Sequence, residues 1–112
     1  MRYLCIYRKD ENIPPTPELL ENMGRLIADM TQAGVLVGTE GCQPSAKGAR
    51  VRREDGKMTV IDGPFTESKE VIGGFALIDV ASKADAIEWT KRFLDVAGDG
   101  ETEIRLIHGE PS

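Results

Sequence analysis

The densest chemistry in this chain lies in VIDGPFTESKEVIGGF, residues 60–75, where Asp62 precedes a Gly-Pro-Phe run and Glu67 and Lys69 follow. A carboxylate at the mouth of an apolar pocket is driven toward a higher pKa, which suits a general acid or base near neutral pH. Asp62 is the candidate for that work. The competing role is structural, because an Asp before a turn commonly accepts backbone N–H bonds from the turn itself. On an extended strand Asp62 shares a face with Met58 and Val60. Phe65 is a candidate contact for a small molecule, with a core or interface plug as its commoner role. Glu67 and Lys69 are placed to form a polar rim, or an ion pair worth under about 1 kcal/mol if exposed.

Elsewhere the chemistry is sparse. Tyr7 and Arg8 end the first predicted strand, and the topology can bring them toward Asp62, so Tyr7 joins the candidate binding residues. His108 is the sole histidine and sits near the C-terminus, where solvation is the usual state. Lys47, Arg50, Arg52 and Arg53 form a basic hairpin whose default is a solvated face, with an acidic partner as the alternative. Cys5 and Cys42 have neither metal-ligand spacing nor a disulfide framework, which predicts two reduced thiols in a cytoplasmic protein. There is no Ser-His-Asp order, zinc spacing or phosphate loop, so no metal and no cofactor is expected. Gly73-Gly74 at the start of a strand predicts a bulge or a close backbone approach.

The elements that must position these residues follow from periodicity and caps. RYLCIYR is a strand over about residues 2 to 8, apolar on both faces. Thr16-Pro17-Glu18 opens a helix running to about Ala33, with Leu19, Met23, Leu26, Ile27 and Met30 on one face and Gly34 as its C-terminal cap. A strand follows from Val35. Two alternating runs joined by Asp55-Gly56 predict a hairpin. GGFALIDVAS is a further strand, and Ser82 with Asp85 caps a second helix that offers Ala86, Ile87, Phe93 and Leu94 to the core. TEIRLIHG closes the chain as a strand, which puts His108 on the face of Ile104 and Leu106 if it continues that far.

This order predicts one α+β domain over residues 1–112, a ferredoxin-like sandwich with an antiparallel sheet and two helices on one face. Two helices leave the other sheet face bare. Since its strands are apolar there too, a homodimer packed through the sheet is expected. At 112 residues, with a net charge of −5 and few aromatic rings, the chain has no general cationic or base-stacking character for nucleic acid. No segment is long and apolar enough for a membrane span, and the N-terminus lacks the pattern of a signal peptide.

VIDGPFTESKEVIGGFALIDV, followed by ADAIEWTKRF and TEIRLI, resembles the DGPF-type members of the YCII-related proteins, which belong to the dimeric α/β-barrel superfamily. The resemblance is strongest over Val60 to Val80. It implies a ferredoxin-like unit that dimerises through its sheets, with a small-molecule pocket near the interface. Related proteins pair a histidine with the aspartate of the Asp-Gly-Pro segment; the aspartate carries over as Asp62, but no histidine lies in the first strand here. The resemblance also implies an alternative, a non-catalytic regulatory protein associated with an extracytoplasmic-function sigma factor.

Overall fold

The structure, a computed structural model, describes residues 1–111. Along the chain run β1 (Arg2–Lys9), α1 (Pro17–Gln32), β2 (Leu36–Gly41), β3 (Ala49–Glu54), β4 (Lys57–Asp62), β5 (Val71–Asp79), α2 (Lys83–Ala97) and β6 (Glu101–Leu106), with a single 3-10 turn at Ser45–Lys47. The main sheet is antiparallel in the order β2-β5-β1-β6. This α+β arrangement is compatible with a ferredoxin-like fold. β3 and β4 do not join that sheet; they pair only with each other, as a separate two-stranded arm.

Local chemistry explains where the elements start and stop. The Thr16 hydroxyl accepts the Leu19 N–H at 3.1 Å, Pro17 occupies the first helical position, and Gly34 leaves the helix at φ +73°. Ser82 caps α2 through the Asp85 N–H at 3.2 Å. At the arm's tip Asp55 and Gly56 have φ of +51° and +78°, both positive as a tight two-residue hairpin requires. β5 begins at Val71, two residues before the expected Gly73, so the glycine pair lies inside the strand. Tyr7 pairs with Gly74 and Arg8 with Ile72, which makes Gly73 the bulged residue. Gly74 meets β2 so closely that an added Cβ would stand 2.8 Å from the Glu40 carbonyl oxygen.

The core lies on one face of the sheet. Tyr3 and Cys5 of β1 and Ile78 of β5 pack against Leu26 and Met30 of α1 and Ala86 of α2, with Ile78 only 1% exposed. Two expectations for α2 need correction. Ile87 points outward, and Leu94 is half-buried without joining the core cluster; Ala86 and Phe93 pack there as expected, joined by Trp89 and Val96. The helix phase is set by Ala86, whose lack of bulk lets the axis approach the sheet, and the inward positions then fall at three- and four-residue steps from it.

Among the described residues nothing covers the opposite face of the sheet. Leu4, Ile6 and Leu77 are half-buried there, and Ile72 and Phe75 are 48% and 42% exposed. Beside this apolar stripe on β5 and β1 runs a charged one on β6. Arg105 and Arg8 flank Glu103 at 3.1 and 3.4 Å, and together they hold its carboxyl below the usual range.

Candidate functional site

Two clusters merit attention: the corner built by Asp62 to Ser68, and a cleft beneath α1. The corner is stitched to distant segments. Gly63 N–H donates to the Gly48 carbonyl at 3.0 Å and Phe65 N–H to the Ser45 hydroxyl at 3.1 Å. Ser45 in turn donates both its backbone N–H and its hydroxyl to the Glu11 carboxylate, at 2.6 and 2.5 Å. Gly63 has no room for a side chain, because a Cβ would overlap the Ser45 carbonyl oxygen. The Arg50 guanidinium lies 3.9 Å over the Phe65 ring and bonds to Glu67 at 2.7 Å and Ser68 at 3.2 Å.

Asp62 has no part in this stitching. Its carboxylate accepts no hydrogen bond among the described residues; Ser45 and Gly48 do the anchoring that the turn-capping role would have given it. Asp62 is exposed and shares the arm's face with Ala49, Val51, Met58 and Val60. Three of these apolar side chains are uncovered, Val51 at 69% and Met58 and Val60 at 65% each.

The bond pattern around Glu11 has a pH consequence. The Ser45 hydroxyl and N–H hold the Glu11 carboxyl below its ordinary value, against an opposing push from Asp10 and from partial burial. A depressed folded pKa means that the clamp is complete above the ordinary glutamate range and is lost as pH falls through the folded value. The protection factor of the Ser45 amide, its slowing relative to an unstructured chain at the same pH, should therefore be high at neutral pH and fall once the solution is acid enough to protonate Glu11. Glu11→Gln should remove that acid transition. If the Ser45 amide shows the same acid transition in the variant, the clamp is not what protects it.

The cleft, of about 660 Å³, lies between α1 and the covered face of the sheet. Leu19, Met23 and Leu26 form the helix wall, Cys5, Tyr7 and Gly74 the sheet wall, Trp89 and Phe93 of α2 the inner end, and Ile13 and Pro14 the mouth. Its volume and apolar walls fall in the range of small-molecule sites. Tyr7 sits within it, fixed by a 3.1 Å bond from its hydroxyl to the Asp99 carbonyl and by an edge-on contact with Phe93, the ring centroids 5.0 Å apart. Burial, with the Glu70 and Asp99 charges, raises the Tyr7 pKa, so the phenol remains protonated. Burial likewise raises the Cys5 thiol, with Thr90 opposing.

Of the candidate catalytic and binding residues Tyr7, Asp62, Phe65, Glu67 and Lys69, only Tyr7 lines this cleft. Phe65 borders a shallower adjoining hollow of about 480 Å³, and Asp62, Glu67 and Lys69 line neither. His108 lies in an exposed turn beyond the end of β6, so the strand does not carry it onto the face of Ile104 and Leu106. Trp89 and Thr39 went unnoticed. The available signal was α1 itself, whose predicted apolar face is longer than the part the core buries. Among the described residues no three His, Cys, Asp or Glu side chains gather into a metal-binding group, and no helix is long and apolar enough to cross a membrane.

The fold and cleft define a small α+β protein with an antiparallel sheet, two helices over one face and an apolar cavity between them. A family model for the YCII-related domain matches residues 1–108, and the chain belongs to that family. It is also similar to an uncharacterized protein of Rhizobium meliloti (strain 1021), 28% identical over 114 residues that cover 96% of this chain and 92% of the relative.

Proposed function

We propose that this protein binds a small, largely apolar molecule in the cleft beneath α1, and does so as a homodimer joined through the uncovered sheet face. The cleft carries the first part: an apolar cavity of about 660 Å³ that the chain leaves open although α1 has the side chains to close it. The apolar stripe of Leu4, Ile6, Phe75 and Leu77 beside the Arg8–Glu103–Arg105 ladder supports the second, since water is a poor cover for such a surface. Within the family, the Asp-Gly-Pro-Phe run and the Gly73-Gly74-Phe75 strand support the DGPF-type assignment. Asp62 stands outside the cleft of its own chain, so it serves as an acid or base there only if a second copy brings it.

Trp89 is the chain's single tryptophan and lines the cleft, which gives the test its readout. A neutral apolar dye such as Nile red should bind once per chain and quench Trp89. Ala97→Phe fills the cleft at the end of α2 and should weaken that binding roughly tenfold, with thermal stability little changed. Dye binding that leaves Trp89 unquenched and ignores the Ala97 substitution would mean that the cleft is not the site.

A further inference from the structure

Three of the hydroxyl groups along the cleft have already spent their protons. Tyr7 donates to the Asp99 carbonyl at 3.1 Å, Thr39 to the Phe75 carbonyl at 2.8 Å and Thr90 to the Ala86 carbonyl at 2.8 Å. Each of these residues lines the cleft. A hydroxyl has one proton and two lone pairs, so each can offer an entering molecule only an acceptor. Thr102, the remaining hydroxyl of the lining, has an uncommitted proton, but its oxygen is shut off from solvent, out of reach of an entering molecule. The charged side chains of the lining are Lys9, Glu11 and Glu40, and Gln43 adds an amide. Lys9 is tied to the Ile13 carbonyl at 3.2 Å and Glu11 is clamped by Ser45. The Trp89 indole, with no hydrogen bond to the protein among the described residues, adds one N–H donor to this set of acceptors.

We infer that the cleft takes an uncharged, largely apolar molecule bearing a hydroxyl group, which gives its proton to one of these three oxygens. This deepens the binding reading above and rests on it. The reasons are electrostatic. A carboxylate placed among three acceptor oxygens and apolar walls would lose its hydration with only the single Trp89 N–H in return. A ketone can accept from the Trp89 N–H but carries no proton for the three oxygens. A hydroxyl gives one, and its own oxygen can still accept. The neutral Tyr7 phenol is suited to this role, because its bond to Asp99 orients the remaining lone pairs.

The test uses the intact protein and three probes matched in length: octanol, methyl hexyl ketone and octanoate, each followed through Trp89 fluorescence. Octanol should bind roughly tenfold more tightly than the ketone, and octanoate more weakly than either. Thr39→Val, Thr90→Val and Tyr7→Phe each delete one acceptor with little change of shape. One of them should bring octanol down to the affinity of the ketone while leaving the ketone unchanged. Equal binding of octanol and ketone, tighter binding of octanoate, or a preference that survives all three substitutions overturns the hydroxyl assignment and leaves the cleft as a site. If none of the probes perturbs Trp89, the cleft reading itself fails and the inference falls with it.

Discussion

Gly63→Ala should detach the corner from the body of the protein. The added methyl would overlap the Ser45 carbonyl oxygen, and both neighbours are backbone, which cannot swing aside as a long side chain can. Two hydrogen bonds depend on the present fit, Gly63 to Gly48 and Phe65 to Ser45. The expected cost is about 2 to 4 kcal/mol, the range for a substitution that forces backbone displacement and unsatisfied donors. Much of it should appear locally. Exchange of the Gly63 and Phe65 amides should rise roughly thirty- to a thousandfold, while amides of β1 keep their protection. Unchanged protection at both positions would show that the segment accommodates a side chain, and the packing of Gly63 against Ser45 would lose its structural meaning.

The second large effect concerns the uncovered sheet face. Ile6 lies between Phe75 of β5 and Glu103 of β6 in the pairing of the sheet. Ile6→Lys places an ammonium in the centre of the apolar stripe, next to a carboxylate that can receive it in an isolated chain. The monomer fold should therefore persist, whereas an interface formed across this face would bury the new charge. Sedimentation should show the wild type at twice the 12.3 kDa chain mass and the variant at the chain mass. The loss at a central interface position is typically 2 kcal/mol or more, roughly a thirtyfold weakening at least. A wild type that sediments as a monomer at tens of micromolar, or a variant that still dimerises, would remove the sheet-to-sheet homodimer.

Legibility differed by the range of the interactions involved. Thr16, Pro17 and Gly34 bound α1 through contacts a few residues long, so its limits could be read directly, and the same holds for Asp55-Gly56 and Ser82. Strand membership depends on partners far away in the chain. Nothing within residues 49–62 reveals that β3 and β4 stay apart from the main sheet. The corner shows the same limit. Its residues were visible as a cluster, but its anchors, Ser45 and Glu11, lie 20 and 54 positions before Phe65 and do not announce themselves. Tyr7 was found because it ends a strand. The cleft went unread because apolar residues on α1 look the same whether they are buried in a core or left lining a cavity.

The bulge at Gly73 acts on its strand as an inserted letter acts on a reading frame. After it, the even positions Gly74, Ala76 and Ile78 face the helices, and before it the odd position Val71 is the buried one. One extra residue thus changes the parity between the segment arriving from the arm and the strand that enters the sheet. Val71 and Gly74, the partners of Lys9 and Tyr7, thus both face the helices although three residues separate them on β5 and two on β1.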